Sequence, residues 1–228
     1  MKCLWVIGLL TVAVLAGEEV LINSFSNSII LGGNLAHSTS KHSKRLIEIK
    51  SFKSLEINIP LELYIRESSV VKVELEAQSD LLDKINVHLE GDELLVDANE
   101  NLIATQPIVL KMEIPHLTEL KLKSVATVFV DKYCEKSLYL EVDGVVELHW
   151  SGGSIDDLFL KADGSYTLRF LDLLIKKAEV IAEGSGEIVL ENVKSLNVNL
   201  SDTVTMRYGG HPKIIKKELD DLAELIKI

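Results

Sequence analysis

From residue 46 onward, apolar and polar positions alternate in short runs divided by glycine or small polar residues. The runs "LIEIKSF", "LEINIPLELYI", "VVKVELEA", "INVHLEGDELLVDA" and "IVLKMEI" occupy residues 46 to 114. Successive side chains of a strand point to opposite sides, so each run predicts a strand with one buried face. Only "SDLLDKI" interrupts the alternation, with the signature of a single helical turn.

Further along, the alternation becomes self-similar. "LYLEVDGVVELHW" (from 138), "LFLKADGSYTLRF" (from 158) and "AEVIAEGSGEIVL" (from 178) are rewordings of one another. Leu120, Leu138, Leu158, Ala178 and Leu196 align in one column, at separations of 18, 20, 20 and 18 residues. Leu122, Leu140, Leu160, Val180 and Val198 make a second column, and Val130, Leu148, Leu168, Ile188 and Met206 close each unit. A fixed period near 20 signals a stacked repeat, and alternation rather than a 3.6-residue period makes the repeat a β unit. The predicted fold is mainly β: a β-helix or β-solenoid with coils of about 18–20 residues, spaced about 4.8 Å apart.

The tail switches period. In "KIIKKELDDLAELIKI" (213–228), Ile215, Leu219, Leu222 and Ile226 fall four, three and four apart beside charged residues. That stripe predicts a C-terminal amphipathic helix, with the role of a cap over the open end of the coils. The partition that follows is a leader over 1–17, a flexible arm over 18–45, a β-solenoid domain over 46–212 and the helix over 213–228.

The leader rests on "MKCLWVIGLLTVAVLAG": one basic residue, an apolar run too short for an ordinary membrane span, and small residues ahead of Glu18 and Glu19. Export to the periplasm, the cell surface or the medium is the consequence, with a retained N-terminal anchor as the alternative. Removing the leader takes Cys3 with it and leaves Cys134 without an intramolecular partner. The arm that follows is rich in Ser, Asn and Gly; its His37 and His42 are five apart, which suits no ordinary metal-ligand spacing and reads as solvated loop histidines. A net charge of −11 excludes nucleic acid and anionic membrane surfaces as natural partners, because both would be repelled.

One family carries the same order of features. The strand opening at Phe52, then "VVKVELEAQSDLLDKINVHLEGDELLV", "PIVLKMEIPHLTELKLKS", the tandem acidic-Gly units with "GSGEIVL", and the closing "YGGHP" resemble the auto-transporter adhesin head GIN domain family over roughly residues 46–212. The resemblance implies an exported bacterial β-solenoid of the envelope, with an adhesive or surface role and no established catalytic residues. The sequence departs from that pattern at its end, where the family continues with another Gly/Ser-rich unit.

Candidate chemistry is sparse. Asp143, Asp163, Glu183 and Ser201 share a column next to Gly144, Gly164, Gly184 and Asp202. Such pairs mark bends in which glycine takes a positive φ; the competing reading is a cation held between stacked carboxylates. The nine-residue glycine-rich motif of calcium-binding β-rolls is absent, which favours the bends. Trp150, Phe170 and Tyr208 align with Leu190 as a core ladder, or as a stripe for stacking sugars. His149, Arg169 and Arg207, aligned with Val189, should point outward, as solvated cations or as a site for carboxylates and sulfates. No nucleophile elbow, zinc motif or phosphate loop occurs.

The expectation is therefore a non-catalytic binding or structural module of the envelope, with no catalytic residues, metal or cofactor, and with glycans or envelope components as partners. The alternatives are a polysaccharide lyase or hydrolase on a β-helix scaffold, and an envelope scaffold without a ligand.

Overall fold

The computed structural model describes residues 10–15, 18–23, 29–30 and 41–228, Asp221 excepted. The expected leader and arm fall largely outside these residues. Within them, β1 (Leu10–Leu15), β2 (Glu18–Asn23) and β3 (Ile29–Ile30) form a separate three-stranded antiparallel sheet. His42–Arg45, expected in the arm, belong to the first strand of the main sheet, β4 (His42–Ile47).

The rest of the molecule is mainly β. It comprises β5 (Ser54–Ile57), β6 (Leu61–Glu67), β7 (Lys72–Gln78), β8 (Ile85–Glu90), β9 (Glu93–Ala98), β10 (Val109–Ile114) and β11 (Glu119–Leu122). These are followed by the long run β12 (Val125–Ala182), β13 (Ser185–Val193), β14 (Ser195–Leu200), β15 (Thr203–Tyr208), β16 (Lys213–Leu219) and β17 (Glu224–Lys227). The one helix among the described residues, α1 (Ser79–Leu82), is the single turn expected at "SDLLDKI". Together β4–β17 make one 14-stranded sheet around a single apolar core.

Parallel pairing dominates from β5 onward. β5 pairs with β11 and β11 with β12; β6 pairs with β12; β13 and β14 pair with β12; β15 pairs with β13. Each pairing joins residues that point the same way, so the expected inward columns recur. Ala178 lies opposite Leu196, Val180 opposite Val198, and Leu168, Ile188 and Met206 follow one another. All of these are buried.

The register at the start of the ladder differs from the expected one. Leu120 lies opposite Leu140, not Leu138, and Leu122 opposite Val142. In the second half of the unit Gly144 sits against Ser124 and Phe129 stacks on His149, so Val130 falls with Trp150 rather than with Leu148. The reason lies in the period of a strand: a slip of two residues leaves every side chain on its own face, so alternation alone cannot separate an 18-residue step from a 20-residue one.

The C-terminal helix is also corrected. Residues 213–219 and 224–227 are strands, β16 and β17, paired in parallel with β14 and β15. A helix would have met its own hydrogen bonds and left the row of N–H and C=O groups on β14 and β15 open; another strand satisfies them. Helical periodicity is a weak prior beside that demand. The tail therefore extends the columns once more, with Ile214 opposite Leu196, Leu219 opposite Leu200 and Leu225 opposite Met206. Two core columns, however, end in lysine: Lys217 lies opposite Val198 and Lys227 opposite Tyr208. No described helix is long and apolar enough to cross a membrane.

Candidate functional site

Glycines set the bend that separates two faces. Gly164 and Gly184 have φ of +101° and +86°, and a Cβ at either would stand 2.4 Å from the carbonyl oxygen of the glycine one unit earlier. Asp143, Asp163 and Glu183 beside them are exposed. In the next unit Asp202, itself at φ 56°, accepts a hydrogen bond at Oδ2 from the Gly184 N–H at 2.8 Å. Among the described residues no three potential ligands gather to hold a metal ion. At Gly164 and Gly184 the acidic-Gly repeat serves a close backbone stack that a Cβ would obstruct.

Beyond the bend, the second face carries the aromatic and cationic columns. Trp150 and Phe170 are buried and stacked with centroids 6.1 Å apart, so they belong to the core ladder rather than to a sugar stripe. Arg169 and Arg207 do lie in register with Val189 on the outward side, but both pair with Glu187, the first at 3.4 Å. His149 is held by Glu147 at 2.9 Å. These three side chains are committed to partners within the chain.

A different aromatic stack was not legible as such. Tyr64, Phe129 and His149 lie in three successive rungs with ring centroids 5.0 and 5.2 Å apart and nearly parallel planes. Tyr64 is 37% exposed, and its hydroxyl donates to Glu62 at 3.1 Å. Burial, then the nearby Glu62 carboxylate, holds the Tyr64 phenol above its usual range. Tyr64 and Phe129 come from strands 65 residues apart in the chain, which is why repeat alignment missed the stack. The signal available in sequence was an aromatic at one parity in each of "LELYI" and "TVFV".

Next to this stack runs a groove of about 290 Å³ across β10, β6 and β12. Register explains its shape. Lys111, Tyr64 and Phe129 stand in one outward column; Glu113, Arg66 and Asp131, two residues further along each strand, stand in the next. The backbone of Ile65 and Met112, whose side chains face the core, forms the floor. Lys111 is tied to Glu76 at 3.3 Å, and Glu76 also meets His42 at 3.2 Å and Lys44 at 3.4 Å. Burial raises Glu76, but the hydrogen bonds from His42, Lys111 and Lys44 outweigh it and hold the carboxyl below 4.5.

The remaining face bears a charged cluster and another stack. Lys121 meets Glu93 at 2.8 Å and Glu119 at 3.2 Å, and its ammonium is held above its usual range chiefly by the hydrogen bond to Glu93. Tyr139 and Phe159 stack at 5.4 Å. A larger and more open hollow of about 560 Å³ lies between β4 and β8, where Arg45 donates to the Ile85 carbonyl at 2.7 Å. Cys134 is free and exposed.

Comparison with known proteins places these features in context. A family model described as "Putative auto-transporter adhesin, head GIN domain" matches residues 51–212. No curated protein matches the chain. A crystal structure of a "putative adhesin" from Bacteroides fragilis NCTC 9343 superposes with a TM-score of 0.65 at 16% identity, covering 82% of this chain and 97% of that one. A "putative lipid binding protein" from Parabacteroides distasonis ATCC 8503 gives 0.47 at 17% identity, with coverage of 83% and 98%. At such identities the first likeness speaks for the fold alone.

Proposed function

The chain belongs to the auto-transporter adhesin head GIN domain family, and from that premise we propose that it is an exported, non-catalytic binding module of the bacterial envelope. Its units are the coils of a β-solenoid, each of 18–20 residues, held in register by the stacked glycines. Residues 1–17 act as the secretory leader and 18 to about 41 as a tether. The partner is a glycan or another component of the cell surface.

The groove beside Tyr64 and Phe129 carries this reading. It combines an aromatic wall with charged side chains on a surface whose backbone is fixed by hydrogen bonds on both sides. A rigid scaffold of this kind presents a ligand site at little ordering cost. Purified protein on a glycan array, run beside lyase and hydrolase assays on acidic polysaccharides, tests it. Binding without turnover is the expected result; turnover would replace the binding module with an enzyme, and neither would leave a scaffold.

A further inference from the structure

Two outward columns only one pleat apart make a trough with unlike walls, and the chemistry of those walls restricts what fits. Tyr64 and Phe129 give one wall an aromatic surface, and Lys111 at its end is already neutralised by Glu76. On the other wall Arg66 stands in register between Glu113 and Asp131, one strand away on either side, and among the described ion pairs none joins it to either. The exposed guanidinium and the two carboxylates are thus available to a ligand.

We propose that this trough holds an uncharged saccharide, its apolar face against the exposed side of the Tyr64–Phe129 stack and its hydroxyls against Arg66, Asp131 and Glu113. The assignment rests on the binding-module reading above and narrows it to a site and a ligand class. Sugar hydroxyls donate to carboxylates and accept from a guanidinium, so a polyol satisfies both kinds of group at once. A polyanion would meet two carboxylates for each free cation here, in the field of a chain carrying −11. A cationic ligand would meet Arg66. The volume, about 290 Å³, suits one or two sugar rings.

The test uses the full mature protein and a panel of neutral methyl glycosides and disaccharides, followed by NMR titration and calorimetry. At least one neutral sugar should bind, with affinity unchanged between low and high salt. Tyr64→Ala and Arg66→Gln should each weaken binding by about tenfold or more. Arg66 is exposed, so its variant leaves the fold intact, and Tyr139→Ala on the other aromatic stack should leave binding unaltered. If sugars bind but neither variant matters, the trough assignment fails while the binding module stands. If only charged glycans bind, with strong salt dependence, the ligand class fails. If no glycan of either kind binds, the trough assignment falls, and the binding module keeps only a non-glycan surface component as its partner.

Discussion

The two ends of the main sheet meet the same difficulty in opposite ways. At the N-terminal end the parallel order gives way to antiparallel strands: β10 pairs with β7 and β7 with β4, while β9 pairs with β8. The α1 turn then places Leu81 and Leu82 in the core, 6% and 8% exposed. At the C-terminal end of the described sheet, β16 and β17 continue the parallel order. The last rung leaves Leu222 75% and Ile228 58% exposed, and it puts Lys217 and Lys227 where apolar residues stood one rung earlier. One end is covered; the other is blunted by charge, a recognised defence of open sheet edges. A cap need not be a separate element if the last repeat spoils its own stickiness.

The contrast has consequences that rank by size. Leu81→Asp places an unpaired carboxylate in the covered end and should cost about 3–5 kcal/mol in urea unfolding, whereas Leu222→Asp at the open end should stay within about 0.5 kcal/mol. Equal costs would mean that both ends are covered. Between the ends, Gly184→Val must take a positive φ and displace the Gly164 carbonyl, an expected loss of about 2–3 kcal/mol, seen as a fall of about 5–10 °C in Tm. Asp163→Asn, at an exposed side chain beside the bend, should be close to neutral in the same scan.

Acid should weaken the covered half through Glu76 on β7 and Glu56 on β5. Both carboxyls lie below 4.5 in the folded chain: burial raises Glu56 too, but Lys123 and Asn58 hydrogen bonds prevail. A depressed folded pKa stabilises above the unfolded value and loses that contribution as pH falls through the folded one. Stability should therefore drop as pH is lowered below 4.5, and Glu76→Gln should flatten the drop measured by thermal unfolding at stepped pH. The smallest change in stability but the clearest change in mass belongs to Lys217→Val combined with Lys227→Leu. With the core columns continued to the edge, light scattering should show dimers or larger species where the parent is smaller. No change in mass would show that these lysines are not what blunts the edge.

Much of this was legible beforehand because it follows from local rules. The alternation in "LEINIPLELYI" and "IVLKMEI" can only bury one face as a strand. The acidic-Gly pairs announced positive φ at Gly164 and Gly184, and the match of order and spacing identified the family. The single turn at Ser79–Leu82 was readable from the break in period.

What the chain could not state by itself was anything that depends on which rung meets which. Leu120 opposite Leu138 and Leu120 opposite Leu140 obey the same parity, and only closure of the backbone ladder chooses the second. The stripe of Ile215, Leu219, Leu222 and Ile226 satisfies a helix; the unpaired edge of β14 and β15, invisible in the sequence, draws Ile215, Leu219 and Ile226 into strands and leaves Leu222 in the turn between them. The trough is likewise a product of pairing. Tyr64, Lys111 and Phe129 are scattered along the chain, and they share a wall because β6 is hydrogen-bonded to β10 on one side and to β12 on the other. Periodicity fixes the face each residue takes, since it is a property of one strand; neighbours across the sheet are a property of many strands and exist only once the chain has folded.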